Sequence, residues 1–323
     1  MNAKPPRDET TPAEHPARAG HPAGMTIGDA LSWATGLVAS SGTDTPRLDA
    51  EVLLGHVLAL SRAHLYAHWN EPLAPEASKA YHQLVLRRAA REPVAYLIGE
   101  KAFYDVELFV DRCVLIPRPE TEHLVDAALA WCCTQRMRPL TIADVGTGSG
   151  ALAVVLACHY PAARVWAVDI SAEALSVARR NVERHGLEAR ITLVRGDLLG
   201  SLVAGFDLIV ANLPYVARGE LSGLPADVAR YEPWVALDGG EDGLEVIRRL
   251  LSQVPGRLGW PGLLLLEIDP RQGDAAAQMV RAALPDADVT LLLDYAGLRR
   301  VVRAERRSGP PPGIAAISGG DRS

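Results

Sequence analysis

The 323-residue chain has little cysteine: four in all, with no C-x-x-C pair among them. That excludes a disulfide framework and the common zinc spacings. Cys113, Cys132, Cys133 and Cys158 sit in apolar segments, where reduced core thiols are expected. The chain also lacks any apolar run of the roughly 18 to 20 residues that a bilayer span requires, and the N-terminus has no short apolar core of a secretion signal. A cytoplasmic protein with no membrane partner is therefore expected. Basic charge is scarce too. Lys and Arg number 33 against 39 Asp and Glu, a formal charge of -6, which disfavours holding nucleic acid mainly through counterion release. His64 and His68 stand four apart in "HLYAH" and could share a helix face, but no third ligand is evident nearby, so no metal is expected.

What the chain does have is 48% hydrophobic and 22% charged residues, enough for one large domain and a smaller one, each with its own core. Residues 1–24 are rich in Pro, Ala and charge and nearly free of large apolar side chains. Such a segment cannot offset the entropy of ordering, and a disordered tail is expected. Met25 follows at once as a candidate translation start, and Thr26 can cap the helix opening at "IGDALSW". Over residues 25–95 the apolar positions recur at helical spacing, as with Leu53, Leu54, Val57 and Leu58, then Tyr81, Leu84 and Val85, predicting a small helical domain. At 96–119, "AFYDVELFVDRCVLIP" turns to alternating residues and reads as a β-hairpin linker with its turn at Asp111-Arg112.

Residues 120–305 alternate strand and helix. Strands are predicted at "LTIADV", "RVWAVD", "ITLVRG", "FDLIVA" and "GLLLLEID", the pattern of a parallel, doubly wound sheet. The helix after the second strand has Ser171 as N-cap, a stripe at Ala174, Ala178 and Val182, and Gly186 as its stop. The last pair, "VTLLLDYAG" and "LRRVVRAE", is joined too tightly for a crossover helix, so an antiparallel edge hairpin is expected. Residues 306–323, with three consecutive prolines, read as a second disordered tail.

Four strand ends carry the chemistry. The first runs into "DVGTGSGAL", where Gly146, Gly148 and Gly150, with Thr147 and Ser149 between them, allow close approach to a ligand at a helix N-terminus. The G-x-G-x-G spacing is not the G-x-G-x-x-G of dinucleotide sites. The second ends at Asp169, placed to accept hydrogen bonds from a ribose, or else to interact with the helix that follows. The third ends at Asp197, an acceptor for an adenine amino group or a simple loop acid, with Leu198 beside it to pack on the base. The fourth, "DLIVANLPYV", stops abruptly at Asn212-Leu213-Pro214-Tyr215. Asn and Pro end strands on their own account. Four such ends on one rim, however, put a nucleoside ligand beside a reacting group.

On these residues the chain resembles the class I methyltransferases that use S-adenosyl-L-methionine, an α/β, Rossmann-like fold with a mostly parallel sheet and an antiparallel edge hairpin. Asn212 to Tyr215 is similar to the Asn-Pro-Pro-Tyr element of enzymes that methylate amide or exocyclic amino nitrogens. "PRLDAEVLL", "EPVAYLIGEKAFY", "IPRPETE" and "EPWVALDGGEDGLEVIRRL" further resemble the HemK/PrmC family, the N5-glutamine methyltransferases of peptide chain release factors. Together these cover nearly everything from Thr26 to Arg303. The resemblance implies methyl transfer to the glutamine of a release factor's Gly-Gly-Gln loop, with the helical domain helping to dock that protein.

It assigns Asn212, Pro214 and Tyr215 to catalysis. Asn212 and the carbonyl of Leu213 would accept the two amide N–H groups, with Tyr215 as a flat wall. Asn212 also borders the cofactor, and Arg118, Glu120 and Thr121 of "RPETE" would line its methionine end, unless Arg118 and Glu120 simply form a surface ion pair. Leu213 stands where the family usually has proline. The rival substrates are a large-subunit ribosomal protein and, against the acidic charge, adenine N6 in nucleic acid.

Overall fold

The computed structural model describes residues 24–136 and 138–307, and the rest of both expected tails lies outside them. Two compact units meet in sequence between Arg91 and Glu92. The first is helical: α1 (Ile27–Ala39), α2 (Pro46–Leu58), α3 (Arg62–Ala67) and α4 (Pro75–Ala89). Thr26 starts α1 with a capping box, its Oγ1 accepting from the Asp29 N–H at 3.1 Å and its own N–H donating to Asp29 Oδ2 at 3.1 Å. Helices α1, α2 and α4 bury Leu31, Leu53, Leu54, Tyr81 and Val85 among them, while Val57, Leu58 and Leu84 are half-buried. Burial of each such leucine contributes about 1.5–3 kcal/mol. His64 and His68 are held by Ser61 and Glu71, each at 2.7 Å, and no group of three potential ligands is placed to hold a metal among the described residues. No helix among them is long and apolar enough to cross a membrane.

The second unit opens with α5 (Val94–Ile98) and an antiparallel hairpin, β1 (Glu100–Phe103) and β2 (Val106–Phe109). Its turn lies at Tyr104-Asp105, not at Asp111-Arg112. Tyr104 takes a left-handed φ of +56°, rare for a bulky side chain. Two carboxylates of α6 (Glu122–Thr134) hold it there: Glu122 accepts its N–H at 2.9 Å and Asp126 its hydroxyl at 3.0 Å. Asp111 does turn the chain, but after the hairpin, by accepting the Cys113 N–H at 2.9 Å.

The sheet comprises β3 (Leu140–Val145), β4 (Ala163–Asp169), β5 (Ile191–Arg195), β6 (Phe206–Ala211), β7 (Leu258–Glu267), β8 (Asp288–Leu293) and β9 (Arg299–Arg306), in the order β5-β4-β3-β6-β7-β9-β8. The first five are parallel; β9 runs antiparallel between β7 and β8, the edge hairpin the sequence predicts. The unit is thus a doubly wound α/β sheet of the class I methyltransferase type. One face buries Ile142, Leu208 and Leu265 against α6 and α7 (Ala151–His159). The other buries Ala143, Ile209 and Leu264 against α10 (Glu245–Leu251), which follows the short α9 (Ala226–Tyr231), and α11 (Gly273–Ala283). Alternation within each strand supplies both faces. Helix α8 (Ala172–Arg184) follows its predicted punctuation, with Ser171 Oγ accepting the Ala174 N–H at 3.0 Å, the stripe buried, and Gly186 at φ +64° after it.

All four cysteines are free thiols, but only Cys132 is buried. Cys113, in the turn after β2, is half-buried; Cys133 on α6 and Cys158 on α7 are exposed, because an apolar neighbourhood in sequence does not say which way a helix turns each position.

Candidate active site

Strand β3 lies between β4 and β6, so the chain order reverses there and the carboxyl ends of the central strands open a crevice. A cavity of about 350 Å³ occupies it. Its walls include Gly146 to Ser149 after β3, Asp169 to Ser171 after β4, Gly196 to Leu198 after β5, and Asn212 to Pro214 after β6. The four predicted strand-end motifs therefore share one cavity.

The glycine loop is built for tight turning: Gly146, Gly148 and Gly150 have φ of +74°, +55° and +81°. At Gly146 a Cβ would also come within 3.0 Å of Leu213 Cδ2, so the loop and the end of β6 pack directly. The N–H groups of Gly146 and Thr147 both donate to the Val168 carbonyl, at 2.9 and 3.0 Å, clamping the loop to β4. Asn181 of α8 ties it from outside: its Nδ2 donates to the carbonyls of Ser149 at 2.8 Å and Phe109 at 2.9 Å. Gly150 packs against Ala178 of the same helix.

Asp169 is already part of this framework. Its Oδ2 accepts the Gly148 N–H and its Oδ1 the Ser171 N–H, each at 2.9 Å. Burial raises its pKa, and the backbone N–H groups of Ser171, Gly148 and Ile170 oppose the rise. Beneath the loop Asp144 is fully buried. Its Oδ2 accepts both the Thr147 hydroxyl at 2.6 Å and the Ala153 N–H at 3.1 Å, and its Oδ1 has no partner among the described residues. Burial pushes Asp144 up to about 7; the two hydrogen bonds pull it down and the charge of Asp169 adds to the rise. No sequence motif assigns Asp144 a role of its own. Its signal is a carboxylate at the apolar end of β3, just before the glycines.

Asp197 is paired with Arg249 of α10 through its Oδ2, and both residues line the cavity. No local sequence signal marks Arg249. Leu198 beside them is 7% exposed, with φ +54°.

At the end of β6, Asn212 Nδ2 donates to Thr121 Oγ1 at 3.0 Å. Leu213 is 4% exposed, and Pro214 follows it in the cavity wall. Tyr215 is not among the lining residues. Its carbonyl accepts from Gln272 Nε2 at 2.9 Å, and burial raises its phenol, reinforced by the charge of Glu267.

The "RPETE" residues separate. A 3₁₀ turn at Pro119–Thr121 brings Thr121 into the wall and leaves Glu120 exposed and outside it. Arg118 also lies outside the wall. Its partner is Glu232 at 2.6 Å, not Glu120. Glu232 is buried, with Oε2 unpaired among the described residues.

A second buried acid escapes the sequence reading. Glu267, at the end of β7 and 1% exposed, is pushed up to about 7 by burial. The nearby hydroxyls of Thr121 and Tyr215 and the charge of Arg300 oppose that rise, while the charge of Glu120 adds to it, and Oε2 has no hydrogen-bond partner among the described residues.

Comparison with known proteins follows the same division. Residues 29–99 match the PrmC N-terminal domain, and residues 127–224 match the methyltransferase small domain. The chain is 46% identical over 287 residues to the release factor glutamine methyltransferase of Moorella thermoacetica, covering 88% of this chain and 99% of that one. It is 40% identical over 285 residues to the enzyme of the same name from Deinococcus radiodurans, covering 88% and 100%. Among solved structures, it is similar to the release factor-specific protein-(glutamine-N5) methyltransferase of Alicyclobacillus acidocaldarius, at 28% identity and a TM-score of 0.38, over 63% of this chain and 99% of that one.

Proposed function

The chain belongs to the release factor glutamine methyltransferase family, and from that premise we propose that it methylates, from S-adenosyl-L-methionine, the side-chain nitrogen (N5) of the glutamine in the Gly-Gly-Gln loop of peptide chain release factors. It does so in the cytoplasm, with the helical unit helping to dock the protein substrate. The observation that carries this reading is a single cavity bordered by both Asp169 and the Asn212 to Pro214 strand end.

The residues present fit the cofactor. Asp169 has one backbone donor on each oxygen and keeps a lone pair on each for two ribose hydroxyls. Asp197 keeps Oδ1 for an adenine amino group while Arg249 holds Oδ2, and Leu198 packs on the base. Gly146 to Gly150 let the backbone approach closely, and Asp144 Oδ1 is an orphaned acceptor beneath that loop. Thr121 borders the methionine end, whereas Arg118, paired with Glu232, and Glu120 lie outside the wall. When bound, S-adenosyl-L-methionine supplies a methyl group activated on a sulfonium.

A carboxamide nitrogen is a weak nucleophile because its lone pair is delocalised into the carbonyl. The protein's task is therefore positional. Asn212 Oδ1 accepts one amide N–H of the substrate and the Leu213 carbonyl the other, which fixes the nitrogen and aims its lone pair. Pro214 holds residue 213 in extended geometry, and Tyr215, behind the wall, anchors the strand end by accepting from Gln272 through its carbonyl. No strong base is required, because an alkylated amide nitrogen is acidic enough to lose its proton to water.

The test is incubation with purified release factors and methyl-labelled cofactor, followed by mapping of the modified residue. Label on the Gly-Gly-Gln glutamine is expected. Label confined to a ribosomal protein or to adenine would refute the assignment.

A further inference from the structure

Resting on the reading that the Leu213 carbonyl accepts one N–H of the substrate amide, we propose that Gln272 is a positioning residue that fixes where that carbonyl points, acting together with the glycine-rich loop Asp238 to Gly243.

The sheet stops holding the chain where the chemistry begins. Ala211 is the last residue of β6 to pair with its neighbours, Val145 and Leu266. The backbone is next caught at Val216, whose N–H donates to the Leu237 carbonyl at 3.1 Å and whose carbonyl accepts from the Gly239 N–H at 2.9 Å. Asn212 to Tyr215 lie between these holds. Pro214 restricts residue 213 to extended geometry, but a leucine at 213 leaves its own φ free, where a proline would fix it. Packing of the Leu213 side chain on Gly146 limits that freedom without hydrogen bonding the peptide.

Gln272 supplies a hydrogen-bonded hold. It ends a 3₁₀ turn, Pro270–Gln272, just after β7, and its N–H donates to the Asp269 carbonyl at 2.9 Å. Its Nε2 donates to the Tyr215 carbonyl at 2.9 Å and to the Asp242 carbonyl at 3.3 Å, so both amide hydrogens are spent on backbone acceptors. The direction of these bonds is fixed. Turned about, the side chain would set its oxygen against two carbonyls, neither of which can donate. It keeps this direction although Oε1 is thereby buried without a partner among the described residues.

The loop meets the same stretch through its glycines. A Cβ at Gly239 would come within 2.8 Å of the Pro214 carbonyl oxygen, and one at Gly243 would collide with the Tyr215 carbonyl oxygen and with Gln272 Nε2. Gly243 also takes a left-handed φ of +73°. The "DGGEDG" of the long sequence motif thus lies flat against the strand end, and Gln272 joins the two. The Leu213 peptide is held between the ladder at Ala211 and this clamp at Tyr215.

The experiment measures methyl transfer to a purified release factor by the full chain, with calorimetric affinity for S-adenosyl-L-methionine and melting temperature alongside. Gln272→Met keeps the length of the side chain and loses the donors. Its kcat should fall about fivefold, the scale of one lost hydrogen bond, while KM for the release factor and cofactor affinity each change less than about twofold. Position 213 supplies the readout that a merely structural role would not move. Leu213→Pro fixes the φ whose freedom Gln272 offsets, so in that background Gln272→Met should cost less than about twofold. Should Gln272→Met melt too low to assay, Gln272→Glu keeps the shape, sets an acceptor against the two carbonyls, and should likewise lower kcat more with Leu213 than with Leu213→Pro. An unchanged kcat, equal losses in both backgrounds, or a loss seated in cofactor affinity would each overturn the proposal. Wild-type kcat in Asn212→Ala would instead bring down the positional reading beneath it, and this proposal with it.

Discussion

Asp144→Asn should change how the stability of this protein depends on pH. Burial raises Asp144 from an ordinary 3.8 to about 7, so the folded state binds its proton more tightly than the unfolded chain does. The stabilisation from that proton is complete below pH 3.8 and is lost as pH rises through about 7. At about 1.4 kcal/mol per pH unit, three units set an upper figure of about 4 kcal/mol. Asparagine should fit. Its amide oxygen can take the position of Oδ2, which accepts from Thr147 and Ala153, and its NH2 the position of the unpaired Oδ1. The variant keeps both hydrogen bonds and has nothing to ionise. Urea unfolding at several pH values between 4 and 8 should therefore give curves that diverge, the variant gaining on the wild type by up to a few kcal/mol towards pH 8. Glu267, also near 7, tilts both curves in the same sense and cancels in the difference. Parallel curves across that window would refute the buried-charge argument.

Asp169→Ala should weaken S-adenosyl-L-methionine binding by about 1.5–3 kcal/mol, the scale of hydrogen bonds to a charged acceptor; unchanged affinity by calorimetry would remove the ribose assignment. It should also loosen the loop, since the Gly148 and Ser171 N–H groups lose their acceptor, and faster amide exchange at those two positions would report it. Asn212→Ala should lower turnover by about 10²-fold, as loss of one preorganised polar contact does, with cofactor affinity much less affected; near-normal methyl transfer would end the positional mechanism. Leu213→Pro should keep turnover within about tenfold. It should nevertheless lower Tm, because a buried leucine packed on Gly146 contributes about 1.5–3 kcal/mol, more than the roughly 0.4–1 kcal/mol from a stiffer unfolded chain. A higher Tm would show that the packing is dispensable.

The strands were legible because each is a short apolar run closed by a glycine, an acid or an asparagine, and those closing residues are the ones that meet at the cavity. Asp169 could be found from its place at a strand end. Arg249 could not: it meets Asp197 across 52 residues and looks in sequence like any helix arginine. Arg118 has an acid two residues away, yet its partner is Glu232, 114 residues on. Local charge patterns do not reach that far. Glu267 was hidden within an apolar strand, where nothing distinguishes a carboxylate about to be buried from one about to emerge. The misplaced hairpin turn has the same origin, since Tyr104 holds its conformation through carboxylates on α6.

The position of β9 between β7 and β8 bears on how the chain can be cut. Strand β8 touches the sheet only through β9. A fragment that ends after Leu293 therefore forfeits two strands rather than one, and it uncovers the backbone edge of β7 along Leu263 to Leu266, now a leucine-rich ribbon with unmatched N–H and C=O groups. Such an edge templates pairing with whatever extended chain it meets. Premature stops between the two strands should yield insoluble protein rather than a weaker enzyme, and expression fragments are best bounded after β9.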